Sequence, residues 1–169
     1  GCGPGRVGAV LQERGHEVVG VDADPVLIAA AEEDHPGPRW LVADLTELDL
    51  PAQGVAQPFD AAVLAGNVLA FVAEGTEPSV LARLAAHLVP DGLLIVGLGT
   101  DRGYPVQRLD ADAASAGLVF EQRFATWDLR PWRADADFAV SVFRRPGADP
   151  APAPALPRRS ADPATAGAS

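Results

Sequence analysis

Apolar residues recur along this 169-residue chain with two periods, one typical of helices and the other of buried strands. Helical spacing, clearest at Leu81 and Leu84, predicts helices over residues 6–14, 25–35, 78–88 and 110–116. Short apolar runs and strict alternation predict strands over residues 17–21, 39–42, 61–65, 93–97, 118–126 and 138–143. Strands that alternate with helices are typical of a parallel sheet covered by helices.

The last two strands are separated by too few residues for a crossover helix. A connection between parallel neighbours needs about a dozen residues or more. We therefore expect the strands at 118–126 and 138–143 to pair as an antiparallel hairpin. From residue 146 onward, proline and alanine replace the periodic apolar positions. Such a segment buries too little apolar surface to become ordered, so we predict one domain over residues 1–145 and a disordered tail over 146–169.

The overall charge narrows the classes of partner. The chain has 13 Lys and Arg against 23 Asp and Glu, a formal net charge of −10. Nucleic acids and anionic membranes attract basic proteins, so neither is the expected partner. The longest uncharged stretch, residues 61–73, is shorter than the roughly 20 residues that a membrane-spanning helix needs. Cys2 is the only cysteine, which fits a reducing compartment, and we expect a cytoplasmic protein.

The residues with the most specific chemistry open the chain. A glycine-dense turn, Gly1-Cys2-Gly3-Pro4-Gly5-Arg6, precedes the first predicted helix, and Asp22 ends the next predicted strand. Glycine lets backbone approach a ligand closely because it has no side chain. A carboxylate at the tip of the following strand accepts hydrogen bonds from ribose hydroxyls. Together they predict a nucleoside-cofactor site, whereas no Cys and His cluster has the spacing of a metal site.

Three further segments extend this pattern: Asp44-Leu45, Phe59–Leu64 followed by Gly66-Asn67, and Leu88–Leu94. In this order and spacing, the motifs of residues 1–145 resemble those of the class I S-adenosylmethionine-dependent methyltransferases. The resemblance implies an α/β fold with a doubly wound, mostly parallel, Rossmann-like sheet and a C-terminal antiparallel hairpin. It also implies methyltransferase activity with S-adenosyl-L-methionine as the cofactor.

The resemblance assigns roles to individual residues. In the family, the glycine loop wraps the methionine part of the cofactor, and the acid that Asp22 matches binds the ribose hydroxyls. The pair that Asp44-Leu45 matches contacts the adenine ring, and Asn67 lies at the carboxyl edge, where such sheets bind ligands. The implied cofactor-binding residues are Gly1, Cys2, Gly3, Gly5, Asp22, Ala23, Asp44, Leu45 and Asn67. The alternative for each is an ordinary turn or helix cap.

The chain departs from the family pattern at its start. Family members have a strand directly before the glycine loop, at the centre of the sheet, and N-terminal helices that help cover the site. Neither precedes Gly1 in this sequence. We therefore expect a sheet that lacks its central first strand and a domain that is incomplete at its N-terminus, as in a fragment of a longer enzyme.

Two other functions stay open from the residues alone. Gly3-Pro4-Gly5-Arg6-Val7-Gly8 satisfies the G-x-G-x-x-G pattern of NAD(P)-binding oxidoreductases, and Asp22 lies near the position of their ribose-binding acid. This pattern is weak in a chain with 17 glycines. A non-catalytic binding protein is the other alternative.

The acceptor and the catalytic residues are not assigned by the sequence. In-line methyl transfer depends mainly on positioning, so no catalytic triad is required. The acidic charge and small size favour a small-molecule acceptor. Candidate substrate walls are residues 98–105 and the Thr126–Arg133 segment, which holds Trp127 and Trp132; a packed hairpin connection is the alternative for the second. Solvated or capping roles are predicted for the histidines, His16, His35 and His87.

Overall fold

The computed structural model describes residues 1–147, so the predicted disordered tail lies outside the described residues from position 148 onward. The helices are α1 (Arg6–Glu13), α2 (Pro25–Asp34), α3 (Glu77–Ala86) and α4 (Val106–Ser115). The strands are β1 (Val19–Asp22), β2 (Arg39–Val42), β3 (Phe59–Leu64), β4 (Leu88–Gly99), β5 (Val119–Phe124) and β6 (Phe138–Arg144). Short 3-10 turns occupy Pro51–Gln53 and Val68–Ala70. None of the helices in the described part is long and apolar enough to cross a membrane.

Local sequence signals explain where most of these elements begin. Asp24 caps α2, because its Oδ1 accepts the Val26 N–H at 2.8 Å and Pro25 occupies the first turn. Helix α4 begins at Val106, earlier than the predicted start at residue 110. Its buried residues Val106, Leu109 and Ala113 lie on one face, so burial extends the helix by a full turn.

Strand β4 is longer than the predicted strand at 93–97, and helix α3 is correspondingly shorter than predicted. Leu88 belongs to the strand rather than the helix, and residues 90–92 lie inside β4. Asp91 adopts a φ of 64°, yet its N–H donates to the Arg145 carbonyl at 2.8 Å. The Arg145 N–H in turn donates to the Gly92 carbonyl at 2.8 Å, so this irregular segment stays in the sheet.

The sheet consists of two pieces. Strands β1 and β2 pair in parallel, and the second piece has the order β3-β4-β6-β5. Strand β3 is parallel to β4, whereas β6 is antiparallel to both β4 and β5. These pairings confirm the predicted α/β fold and its C-terminal antiparallel hairpin, and the sheet of the described residues is mixed, with two parallel and two antiparallel pairings.

The first residues of the chain lie between the two pieces. Gly1 N donates to the Val21 carbonyl at the end of β1, at 2.6 Å. A Cβ placed on Gly1 would lie 2.7 Å from Val68, just beyond β3. Within residues 1–147, the only strand paired with β1 is β2 and the only strand paired with β3 is β4. In this part of the chain β1 and β3 are therefore not paired with each other, and the backbone N–H groups of Gly1 and Cys2 donate to Val21 at the end of β1.

The main hydrophobic core lies on one face of the larger sheet, under α3 and α4. Leu94, Val96 and Leu98 of β4 point into it together with residues of both helices. Side chains alternate along a strand, so Leu93, Ile95 and Gly97 point to the opposite face. A separate small cluster, made of Ile28, Ala31 and Trp40, packs α2 against β2. Both clusters matter for the site, since its residues lie at the carboxyl ends of these strands.

Candidate cofactor site at the carboxyl edge of the sheet

The ends of β1 and β2 bring the two predicted aspartates close together. The Ala43 N–H donates to the Asp22 carbonyl at 3.0 Å, and Asp44 is the next residue. Ala23 is exposed directly after Asp22, at the start of the turn into α2. The carboxyl ends of parallel strands form the ligand-binding edge of open α/β sheets. Asp22, Ala23 and Asp44 therefore share the edge on which a nucleoside would lie.

Backbone hydrogen bonds fold the glycine turn over this edge. The Cys2 N–H donates to the Val21 carbonyl at 2.8 Å, and the Gly3 N–H donates to Asp22 Oδ2 at 2.8 Å. Gly3 and Gly5 have positive φ angles of 55° and 81°, which side chains rarely allow. The turn is thus held to the end of β1 partly by the carboxylate that the sequence assigns to ribose binding.

The glycines of the turn differ in what their missing side chains make room for. A Cβ on Gly3 would have no heavy atom within 4 Å, so this side of the turn is open to a ligand. A Cβ on Gly5 would lie 2.8 Å from Trp40 Cη2, and a Cβ on Gly8 would lie at the same distance from that atom. Gly20 of β1 makes room for the same indole. Gly5 therefore has a packing role in the structure, and its contact with a cofactor stays a prediction.

Gly5, Gly8 and Gly20 leave a slot for the Trp40 indole, the Trp40 slot, which was not predicted from the sequence. Trp40 is 6% exposed, and its Nε1 donates to the His35 carbonyl at 3.0 Å. The available signal was Gly20, since a glycine inside a strand often marks the close approach of another group. The slot fixes the position of the glycine turn relative to β1 and β2.

Asp22 is held as a carboxylate. Partial burial raises its pKa, but hydrogen bonds from the Asp24 and Gly3 amides outweigh burial, so the pKa lies below its ordinary value. Oδ1 accepts the Asp24 N–H at 3.0 Å and Oδ2 accepts the Gly3 N–H at 2.8 Å. A carboxylate oxygen has two acceptor positions, so each oxygen can accept a further hydrogen bond. The side chain is 13% exposed, which leaves it accessible from the edge.

Asp44 lies in an exposed turn. Its Oδ1 accepts hydrogen bonds from the Thr46 N–H at 2.8 Å and the Thr46 hydroxyl at 2.7 Å. The backbone hydrogen bond from Thr46 is the main cause that lowers the pKa of Asp44. The Thr46 contacts fix the carboxylate while leaving Oδ2 directed away from them. Leu45 is half-buried against the main core and anchors this turn.

His87 holds the loop that follows Asp44, a role that the sequence did not predict. Its Nε2 accepts the Leu50 N–H at 3.0 Å, so the ring proton lies on Nδ1, which donates to the Arg83 carbonyl at 2.7 Å. Leu48 and Leu50 are buried in the main core. His87 therefore caps the end of α3, as predicted, and also fixes the 44–50 loop to that helix end.

Asn67 joins the ends of β3 and β4. It adopts a φ of 59°, which asparagine tolerates better than most residues. Its Oδ1 accepts the Gly99 N–H at 2.6 Å, and its own N–H donates to the Gly97 carbonyl at 3.2 Å. Because Val68 contacts Gly1, this loop also reaches the glycine turn. The side-chain amide group of Asn67 is the part that remains for a ligand, and that contact stays a prediction.

Cys2 has the features of a packing residue. Its Sγ lies near Gly20 and Trp40, and the residue is only partly exposed. Burial is the main cause that raises the pKa of its thiol, so the sulfur is protonated at neutral pH. Cys2 can therefore contact a ligand through its backbone, whereas a nucleophilic role is disfavoured.

The two candidate substrate walls are built differently. In the 98–105 loop, Tyr104 is buried and donates its hydroxyl to Asp112 Oδ2 at 2.7 Å, so it anchors the loop to α4. Asp101 and Arg102 remain exposed and lie 3.5 Å apart. In the 126–133 segment, Trp132 lies beside the Arg123 guanidinium, whereas Trp127 lies against Gly97.

Two clefts of about 370 and 230 Å³ lie away from this edge. They are lined by the C-terminal ends of α1 and α2 and by the amino ends of β1 and β2, including Gln12, His35 and Val18. Neither contains a residue that the sequence assigns to the cofactor.

Comparisons with known proteins agree with this geometry. The sequence model of the family described as "Methyltransferase domain" matches residues 1–92. Trans-aconitate 2-methyltransferase from Delftia acidovorans is 30% identical over 155 residues, which cover 88% of this chain and 56% of that protein. Two further trans-aconitate 2-methyltransferases are covered to 41% and 49%, so the chain spans about half the length of these curated relatives.

Solved structures show the same fold. A TehB-like SAM-dependent methyltransferase from Corynebacterium glutamicum has a TM-score of 0.80 and 39% identity, over 86% of this chain and 77% of that one. The N-methyltransferase NodS from Bradyrhizobium japonicum, in complex with S-adenosyl-l-homocysteine, has a TM-score of 0.66 and 20% identity. That match covers 86% of this chain and 75% of NodS, and at this identity it supports the fold alone.

Proposed function

Because the chain belongs to the S-adenosylmethionine-dependent methyltransferases, we propose that it binds S-adenosyl-L-methionine and transfers the methyl group to a small-molecule acceptor. We further propose that residues 1–145 form the methyltransferase domain, that 146–169 form a disordered tail, and that the protein acts in the cytoplasm. The acidic net charge of −10 supports a partner other than nucleic acid or an anionic membrane. The substrate named for the trans-aconitate methyltransferases belongs to those proteins.

The Asp22 carboxylate is the observation that carries the proposal. It holds the glycine turn through Gly3 and keeps one further acceptor position on each oxygen. Two acceptors on one carboxylate match the two hydroxyls of a ribose. The open side of Gly3 leaves room for the cofactor chain beside the ribose. The donors and acceptors at this edge therefore fit the group.

The neighbouring residues supply the other contacts. Asp44 Oδ2 is available to accept a hydrogen bond from an adenine amino group, and the Leu45 N–H can donate to a ring nitrogen. Asn67 can donate through its side-chain amide group from the opposite side of the turn. Bound S-adenosyl-L-methionine supplies a methyl group already activated by a positive sulfur. The chain's own residues orient the cofactor and the acceptor and exclude water between them.

The structure gives a physical reason to disfavour a dinucleotide cofactor. In the G-x-G-x-x-G pattern, a pyrophosphate lies against the start of the helix that follows the glycines. Gly5 takes the position of the second glycine, where the backbone approaches the pyrophosphate, but here it faces the Trp40 indole inside the molecule. Packing therefore explains Gly5, and the family comparisons favour a methyltransferase.

Calorimetric titration tests the proposal. S-adenosylhomocysteine is expected to bind the 169-residue chain, and NAD is not. Replacing Asp22 by Asn is expected to weaken binding by roughly 1.5–3 kcal/mol, the range for hydrogen bonds to charged groups. Asp34→Asn is the matched control, since Asp34 is exposed at the far end of α2. Equal affinity in the Asp22 and Asp34 variants would rule out the ribose assignment.

A further inference from the structure

We infer that Trp127 forms a wall of the acceptor site and that the acceptor presents to it a flat, unsaturated face without negative charge. This inference rests on the proposed function and deepens it by naming the chemical class of the acceptor. It begins from the position of Trp127 in the connection between β5 and β6, which the proposed cofactor contacts do not use.

Trp127 is placed by a glycine at the end of β4. A Cβ on Gly97 would lie 2.5 Å from Trp127 Cζ2, 3.0 Å from the Ala65 carbonyl and 3.1 Å from Phe138 Cζ. The indole therefore lies directly against the strand, where any other residue would displace it. Since Val96 and Leu98 face the main core, Gly97 and Trp127 lie on the opposite face of the sheet.

The same strand end connects Trp127 to the proposed cofactor edge. Asn67 donates its N–H to the Gly97 carbonyl at 3.2 Å, and the next residue, Val68, contacts Gly1 of the glycine turn. Along this edge, the glycine turn lies next to the loop after β3, and that loop lies next to Trp127. An acceptor placed beside the methyl-donor end of the site would therefore meet the indole.

The indole offers an open surface for contact. Trp127 is 46% exposed although it is packed against Gly97 and Phe138. Leu129 in the same connection is 61% exposed, and Phe71 in the loop after β3 is 78% exposed. A rigidly placed aromatic ring with an exposed face favours offset stacking on another flat ring.

The charges around this edge disfavour an anionic acceptor. The loops that follow β3, β4 and β5 contain more carboxylates than guanidiniums. The carboxylates are those of Glu74, Asp101, Asp128, Asp135 and Asp137. The guanidiniums are those of Arg102, Arg130 and Arg133. Arg130 lies 3.1 Å from Asp128, and Arg102 lies 3.5 Å from Asp101, so two of the three already face a carboxylate. A polycarboxylate would meet net repulsion here, whereas a neutral flat molecule would not.

Trp132 provides a matched control on the other face of the sheet. Its ring centroid is 5.6 Å from the Arg123 guanidinium carbon, and Arg123 forms a hydrogen bond with Ser141 and an ion pair with Asp110 of α4. Ser141 is adjacent to Val140, the strand partner of Gly97, and therefore points to the α4 side. The two tryptophans are five residues apart in sequence but lie on opposite faces.

Ligand-observed NMR titrations of the 169-residue chain test the inference. The probes are 2-naphthol as a flat neutral ring, decahydro-2-naphthol as its saturated analogue, and trans-aconitate as a tricarboxylate. We expect 2-naphthol to bind most tightly, and Trp127→Leu to weaken its binding about tenfold, the effect of a lost aromatic stack. Trp132→Leu is the matched control and is expected to leave the affinity unchanged. Trp127→Phe, which keeps a ring, should retain most of the affinity. If Trp127→Leu fails to fold, the shift of the Trp127 indole N–H resonance of the native chain on addition of 2-naphthol provides the test, and an unchanged resonance contradicts the inference.

The outcomes are decisive in both directions. Weaker binding of 2-naphthol to Trp127→Leu, with most of the affinity kept in Trp127→Phe, supports the inference. Absence of 2-naphthol binding, equal affinity in Trp127→Leu, or tighter binding of trans-aconitate overturns it. Separate titrations with S-adenosylhomocysteine report on the proposed function. A chain that fails to bind this molecule but still binds 2-naphthol through Trp127 would contradict the cofactor assignment alone.

Discussion

Introducing a methyl group into the Trp40 slot is expected to unfold part of the cofactor edge. In Gly20→Ala, the new Cβ would overlap Trp40 Cε3 and Cζ3 and approach Cys2 Sγ to 3.2 Å. Real Cβ atoms do not approach other heavy atoms within 3.0 Å, so the indole must move. Trp40 cannot move freely, because it is 6% exposed and hydrogen-bonded to the His35 carbonyl.

The cost follows from this geometry. Overpacking a well-packed site costs typically 1–3 kcal/mol, and displacement of the indole also breaks its hydrogen bond. We therefore expect Gly20→Ala to lower the free energy of unfolding by about 2–4 kcal/mol. Gly66→Ala is the matched control, since a Cβ there would have no heavy atom within 4 Å and Gly66 lacks a positive φ.

Urea denaturation of both variants measures the difference, and a double-mutant cycle identifies its cause. Trp40→Phe alone leaves a cavity and is expected to be destabilising, but it makes room for a Cβ on Gly20. The double variant should therefore be more stable than the sum of the two single losses predicts. The slot is looser than these distances imply if Gly20→Ala lowers the free energy of unfolding no more than Gly66→Ala does. The same conclusion follows if the effects of Gly20→Ala and Trp40→Phe are additive.

The other predictions concern single hydrogen bonds at the edge. Hydrogen bonds lower the pKa of Asp22 in the folded state, so the carboxylate contributes fully to the free energy of unfolding above its unfolded-state pKa of about 3.9. This contribution is lost as the pH falls through the folded-state pKa. Urea midpoints of the native chain and Asp22→Asn should therefore converge in acid, and a gap that stays constant with pH would contradict this. His87→Ala should cost about 1–3 kcal/mol by leaving the Leu50 N–H unpaired, and faster exchange of that amide is the specific readout. Asn67→Gly should cost less than Asn67→Ala by about 1 kcal/mol in thermal denaturation, because both lose the Gly99 contact but only alanine is strained at a φ of 59°.

The sequence predicted the order of elements well because hydrophobic periodicity is a local property. The short β5 to β6 connection was enough to predict an antiparallel pair, and the Asp24-Pro25 signal placed the start of α2. Boundaries were wrong where distant contacts decide them. Pairing with Arg145 keeps residues 90–92 in β4, and burial against the sheet extends α4 back to Val106.

The candidate site was predicted in outline and not in detail. The strand-tip pattern assigned Asp22, and the family resemblance assigned Asp44, to one cofactor, and the structure brings the two residues together. Gly5 packs against Trp40 because the indole on β2 is directed toward the glycine turn. The direction of a side chain on another strand cannot be predicted from the local sequence. Likewise, Trp127 and Trp132 lie in one irregular segment without periodicity, so the sequence could not separate the two faces.

Among residues 1–147, no strand pairing joins the β1-β2 half of the sheet to the half that contains β3, and this affects how the two halves respond to a ligand. The glycine turn and both aspartates lie on the half formed by β1 and β2, whereas Asn67 and Trp127 lie on the other. These halves are joined through side-chain packing and the contact of Gly1 with Val68, without a shared ladder of backbone hydrogen bonds. A cofactor that contacts both halves would therefore hold them together. Saturation with S-adenosylhomocysteine should slow amide exchange along β1 and β3 more than in β6, which has paired neighbours on both sides.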